Sequence, residues 1–116
     1  MIVGTEWLVD AEGCSADALR DVGRVRVICE AVLVRLELRV IGGGHWHTFG
    51  GEAGVTGLYL LTESHLACHT YPEHGAATFN LHCCRHRPDF PWHDEIVASL
   101  GASSVTVRVF ARGSEG

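Results

Sequence analysis

The sequence contains no lysine; all nine of its basic residues are arginines. A lysine Schiff base to pyridoxal phosphate is therefore excluded, and so is a phosphate-binding P-loop, which needs its own lysine. Any amine chemistry run through an imine must take its carbonyl from elsewhere. No stretch approaches the roughly 20 apolar residues that a membrane span needs. No Cys-x-x-Cys pair favours a thiolate zinc site. Positive charge is short as well, and a net charge of −5 speaks against a broad nucleic-acid face. The opening "MIVGTEWLVD" lacks the basic start of a signal peptide and reads as a strand, which points to the cytoplasm. The cysteines, Cys14, Cys29, Cys68, Cys83 and Cys84, are odd in number and are read as reduced thiols rather than a disulfide framework.

What is present fits one domain over residues 1–116. With 47% hydrophobic residues it can build a core, though a small one that oligomerisation helps. A strand is expected over residues 5 to 10. Ser15 or Cys14 then opens a helix carrying Leu19, Val22, Cys29, Val32 and Leu33 near helical spacing, against the strand preference of its valine-rich part. "LELRV" alternates Leu36, Leu38 and Val40 with Glu37 and Arg39, the pattern of a half-buried strand. "IGGGHWHTFGGEAG" reads as a flexible loop and "VTGLYLLTE" as a buried strand, with one or two more strands up to "TFNLHCC". After the loop "RHRPDFP", Pro91 suits the first turn of a helix to Leu100, with Asp94 and Glu95 at its positive end and Gly101 ending it. The last strand, "VTVRVF", is expected to turn Val105, Val107 and Val109 inward. Strands outnumber helices, which gives an α+β fold: a two-layer sandwich of a mainly antiparallel sheet with helices on one face.

The chemistry-bearing residues gather in "LLTESHLACHTYPEHG", residues 60 to 75. A hydrolytic triad built on Ser64 lacks the Gly-x-Ser-x-Gly elbow. His45 and His47 share one face of an extended segment and suit two metal ligands, but none of His65, His69 or His82 is fixed as a third, so no metal is assigned. His74, His86 and His93, in loops or at a helix start, read as surface or hydrogen-bonded core residues.

Residues 54 to 84, "GVTGLYLLTESHLACHTYPEHGAATFNLHCC", resemble the core of the bacterial and archaeal S-adenosylmethionine decarboxylases. The family's Gly-Val-Ser/Thr-Gly, Glu-Ser-His, His-Thr-x-Pro-Glu and later cysteine all occur here, in order and at the family's spacing. A looser match takes in "TEWLVDAEGC", "WHTF" and the Pro91-Trp92 helix start. The resemblance implies a precursor that makes its own pyruvoyl cofactor. In it, the Ser64 hydroxyl attacks the Glu63 carbonyl to give an ester. Loss of the Ser64 Cα proton leaves dehydroalanine, and hydrolysis yields a β chain of residues 1–63 and an α chain starting with pyruvoyl at position 64. By the same resemblance His69 removes a proton during processing, Thr56 supplies an accessory hydroxyl, and Cys84 returns a proton to the decarboxylated product. Glu73 is either a surface turn acid or, as its family counterpart implies, a carboxylate near the substrate. Phe49 and Trp46 either stack on an adenine or sulfonium or pack under the glycine loop. The substrate is a small molecule, S-adenosylmethionine, on the way to polyamines, with arginine or ornithine as alternative substrates of the same chemistry and a non-catalytic ligand- or metal-binding relative as the alternative of another class. Family members pair as dimers of processed protomers, with sites near the subunit boundary. Departures from the family pattern are Asn80 for aspartate, Arg85 for glycine, and "GGEAG" in place of a proline before the Gly-Val-Thr-Gly element.

Two geometric demands follow. Ser64 and His69 are five residues apart, so a straight strand points them to opposite faces. For His69 to reach Ser64 the chain must bend or bulge between Ser64 and Cys68, and a flat regular strand there would count against the mechanism. Cys83 and Cys84 must also face opposite ways, with Cys83 in the core.

Overall fold

The computed structural model describes residues 1–114. Six strands form one sheet: β1 (Ile2–Glu12), β2 (His45–Thr48), β3 (Val55–Leu61), β4 (Ser64–Tyr71), β5 (Ala76–Cys83) and β6 (Ser104–Gly113). Their order across the sheet is β2-β3-β4-β5-β1-β6, and every neighbouring pair is antiparallel. The helices are α1 (Ala16–Leu19), α2 (Val22–Arg35) and α3 (Trp92–Leu100). The architecture is α+β, as expected. Among the described residues no helix is long and apolar enough to cross a membrane.

Strand alternation sets the two layers. Trp7 and Val9 of β1, Tyr59 of β3, Leu66 and Cys68 of β4, and Phe79 and Leu81 of β5 point to one face. They bury against Leu19, Val25, Ile28, Val32, Ile96 and Leu100 of the helices in a single core cluster. Each such side chain contributes roughly 1.5–3 kcal/mol of transfer free energy. Gly57 has its own reason: a Cβ there would meet the Trp46 ring at 2.6 Å, so only glycine lets that ring lie across β3. The opposite face of the sheet carries no helix among the described residues and leaves Leu58, Leu60, Tyr71 and Phe110 exposed.

Several expectations are corrected here. The single helix after Ser15 is two. Ser15 caps α1 through its hydroxyl, and Asp21, in extended backbone, starts α2 by accepting from the amides of Gly23 and Arg24. The valine-rich stretch is helical because Val25, Ile28, Cys29 and Val32 recur on one face and bury completely, which outweighs β propensity.

"LELRV" is not a strand. α2 ends in a Schellman motif, with Leu38 N–H donating to the Leu33 carbonyl (2.8 Å) and Glu37 N–H to that of Val34 (3.2 Å). Glu37 takes the left-handed position at φ 54°, and only Val40 bridges to Leu61. Leu36 and Leu38 bury through this turn, which imitates a strand's alternation. The glycine-rich loop contains β2, and β3 is buried on one face only. Val105, Val107 and Val109 lie on the same face as Trp7 and Val9; Val105 packs against the core, but Val107 and Val109, farther along this edge strand, remain 40% and 54% exposed.

Candidate active site

A two-residue turn, Thr62-Glu63, joins β3 to β4, with Leu61 paired to Ser64. Tight hairpin turns normally place glycine or asparagine at positive φ to match strand twist. Neither Thr62 nor Glu63 has positive φ; the misfit falls on Ser64, at φ 141°. A non-glycine residue held there stores on the order of 1–3 kcal/mol of strain. The Glu63 side of the Glu63–Ser64 bond is anchored twice. Glu63 is 7% exposed, and its side chain accepts two hydrogen bonds from the Arg87 guanidinium, at 2.7 and 2.6 Å. Its carbonyl oxygen accepts from the backbone N–H of Cys84 at 3.0 Å. That donor sits where charge builds on the oxygen when a nucleophile adds to the Glu63 carbon.

A cavity of about 410 Å³ opens beside this bond, lined by Glu37, Arg39, Thr62, Glu63, Cys84, Arg85 and Arg87. Its arginines suit an anionic group. Cys84 is exposed here, whereas Cys83 points into the core with no exposed surface. Burial first, and then the Glu63 carboxylate, push the Cys83 thiol up to about 11. Cys83 therefore stays protonated and packed, and Cys84 is the thiol at the bond.

Ser64 Oγ lies 3.4 Å from Nδ1 of His65, a residue of the open face, and His65 Nε2 lies 2.8 Å from Asn80 Oδ1. Asn80 Nδ2 donates to Glu6 at 2.7 Å, and Glu6 pairs with Arg112. Neither this chain of contacts nor the Arg87 clamp was foreseen from the sequence. The partners lie 15, 24 and 74 positions apart, and no local spacing marks them.

A second cluster forms at the other end of β4. Thr56 Oγ1 and His69 Nδ1 are 2.9 Å apart as a cross-strand pair. They line a cavity of about 420 Å³ with Phe49, Glu52, Gly54, Tyr71 and Glu73. Phe49 is exposed and packs edge-on against His47. Trp46 instead turns to the core side and donates to the Tyr59 hydroxyl at 3.1 Å. Among the described residues no three histidine, cysteine or carboxylate side chains gather as metal ligands.

The bulge expected between Ser64 and Cys68 is absent. β4 pairs with β5 without a register shift from Ser64 to Tyr71, and with β3 from Ser64 to His69. A central strand bonded on both edges holds its register, because a bulge would orphan ladder groups on either side. Only Ser64 itself is irregular. At about 3.3 Å per residue the two clusters stand about 16 Å apart along β4. The structure thus groups Glu63, Ser64 and Cys84, and separately Thr56, His69, Glu73 and Phe49, but does not bring the groups together within one chain.

Residues 5–113 match the family model described as S-adenosylmethionine decarboxylase. The chain belongs to this family. It is 33% identical over 113 residues to the S-adenosylmethionine decarboxylase proenzyme of Aquifex aeolicus, covering 96% of this chain and 82% of that one. The proenzyme of Carboxydothermus hydrogenoformans is 33% identical over 115 residues, covering 96% and 87%. The fold is similar to the crystal structure of the adenosylmethionine decarboxylase from Aquifex aeolicus, with a TM-score of 0.77 at 30% identity, covering 99% of this chain and 94% of that one. The family resemblance read from the motifs is thereby borne out.

Proposed function

We propose that this chain is the precursor of a pyruvoyl-dependent S-adenosylmethionine decarboxylase that cleaves itself between Glu63 and Ser64. The observation that carries the reading is the state of that bond. Ser64 is held at φ 141° between a carboxylate pinned by Arg87 and a carbonyl polarised by the Cys84 amide. Attack of the Ser64 hydroxyl on the Glu63 carbon relieves the strain and moves the acyl group from nitrogen to oxygen. Removal of the Ser64 Cα proton then expels the Glu63 carboxylate into a cavity already lined by Arg39, Arg85 and Arg87. The α chain begins at position 64 and the β chain ends at Glu63.

A pyruvoyl group at position 64 supplies the ketone that a substrate amine needs as an electron sink for loss of carbon dioxide. The residues present fit it: Ser64 is its only required source, and lysine, needed for the pyridoxal alternative, is absent. In this reading Cys84, whose exposure beside the bond supports the role, returns a proton to the product carbon. Phe49 offers an aromatic face to an adenine or a sulfonium, and Glu73 a carboxylate to ribose hydroxyls or the sulfonium charge.

The working unit is a pair of chains. A two-fold axis near the middle of β4 lays the Ser64 end of one copy against the His69 end of the other and completes two equal sites. His69, hydrogen-bonded to Thr56, then serves the partner's Ser64 as the base for the Cα proton. The uncovered sheet face, with Leu58, Leu60, Tyr71 and Phe110 exposed, supports such pairing. With every cysteine unpaired, the cytoplasm is the compartment that suits it.

The test is release of carbon dioxide from carboxyl-labelled S-adenosylmethionine, run beside arginine and ornithine. The reading expects release from the first alone, and only from protein that has split into two fragments. Release from an amino acid instead moves the substrate, and no release from split protein overturns the decarboxylase assignment.

A further inference from the structure

We propose that His65 is the catalytic base of the first processing step. It takes the hydroxyl proton of Ser64 and returns it to the departing amide nitrogen, while Asn80 and Glu6 hold its ring in the tautomer this requires. The proposal rests on the self-cleavage reading above and assigns a step that His69, about 16 Å away along β4, cannot perform on its own chain.

The tautomer follows from the hydrogen-bond inventory. Glu6 is a carboxylate that only accepts; the hydrogen bond from Asn80, and behind it the Arg112 guanidinium, keep its carboxyl below the ordinary value. Asn80 must therefore turn its NH₂ toward Glu6, at 2.7 Å, which leaves its carbonyl oxygen toward His65. That oxygen carries no hydrogen, so His65 Nε2, 2.8 Å away, must donate. In the neutral ring Nδ1 is then the lone pair. It faces Ser64 Oγ at 3.4 Å, and the only hydrogen available between them is the serine's. The contact is long, as catalytic hydrogen bonds commonly are before the reacting geometry is reached.

The step balances without an outside reactant. The Ser64 Oγ–H proton moves to His65 Nδ1 as the Oγ–C bond to Glu63 forms. Negative charge on the Glu63 oxygen is met by the Cys84 N–H at 3.0 Å. The C–N bond to Ser64 then breaks, and the proton on Nδ1 passes to that nitrogen, leaving an ester and a free amine. Asn80 and Glu6 touch no reacting atom and are positioning residues.

Hydroxylamine separates this step from later ones, because it cleaves the ester as it forms and leaves the amide alone. Wild-type precursor and His69→Ala are expected to split before Ser64 in hydroxylamine, the second without maturing. His65→Ala is expected to split about 100-fold more slowly or worse, the usual worth of a general base, and to recover when imidazole is added. Nitrogen NMR of the intact Ser64→Ala precursor reads the tautomer with His65 in place. It should show the Nε2–H form, giving way to a mixture on adding Asn80→Ala or Glu6→Ala. His65→Ala cleaved by hydroxylamine as fast as His69→Ala, or an Nδ1–H ring in the Ser64→Ala precursor, overturns the proposal while wild-type protein still matures. Wild-type protein that never splits overturns the self-cleavage reading, and this proposal with it.

Discussion

Arginine 87 should govern both the stability of the precursor and its maturation. The Glu63 side chain is only 6% exposed and that of Arg87 21%, and the fork closes with two bonds of 2.7 and 2.6 Å. Removing one partner of a fully buried pair costs about 3–5 kcal/mol, because a charge is left without compensation. Arg87 retains some solvent, and water entering the space of the lost side chain screens Glu63, so Arg87→Ala should cost about 2–3 kcal/mol. For a chain of this length that is a fall in Tm of roughly 8–12 °C. The measurement belongs in the Ser64→Ala background, where no cleavage intervenes, by thermal unfolding of Arg87→Ala, Glu63→Ala and the double variant. Because the orphaned carboxylate causes the loss, Glu63→Ala added to Arg87→Ala should recover part of it. With Ser64 restored, Arg87→Ala should also mature more slowly, since the bond loses one of its two anchors. A fall within about 0.5 kcal/mol, typical of an exposed position, or additive single changes would refute the reasoning.

Other consequences are independent of that clamp. Alkylation at pH 8 should label Cys84 and spare Cys83, which has no exposed surface; mass mapping of the labelled peptide reads the outcome. The Cys83 thiol is raised in the fold from 9.0 to about 11, so its contribution to stability is complete below pH 9 and is lost as pH rises toward 11. Denaturant midpoints should fall across that window, and the fall should shrink in Cys83→Ala. Glu37→Gly should stabilise the precursor by about 1 kcal/mol, because it frees the left-handed position that ends α2; unchanged thermal unfolding would contradict the Schellman assignment. Co-expressed Ser64→Ala and His69→Ala chains should yield cleaved His69→Ala chain, while each alone stays whole. No cleavage in the mixture would contradict a site shared between copies.

The sequence was legible where burial imposes a period. Val55, Gly57, Tyr59 and Leu61 alternate inward on β3, and the strands of the motif region fell where alternation placed them. Helix α3 was marked by Pro91 at its start and by Gly101, at φ 68°, at its end. The rest depended on partners distant in the chain. Leu36 and Leu38 bury through a helix cap that shares the parity of a strand. Exposure of Leu60 was hidden because residue type does not reveal which face a helix covers, and that of Val109 because it does not reveal which strand lies at the sheet edge. Within the site, the Glu-Ser-His and later cysteine elements were readable as a motif. The split between Ser64 and His69 was not, because spacing alone did not show that β4 is held straight by β3 and β5. Arg87, His65, Asn80 and Glu6 acquire their meaning only through cross-sheet and loop contacts.

Intact mass of the purified protein after incubation tests the central claim most directly. The account predicts two fragments, residues 1–63 ending in a free carboxylate and residues 64–116 starting with a pyruvoyl group whose mass shifts on borohydride reduction. The Ser64→Ala chain should remain whole. A folded wild-type chain that stays at the mass of the full sequence, with no reducible carbonyl, would contradict it.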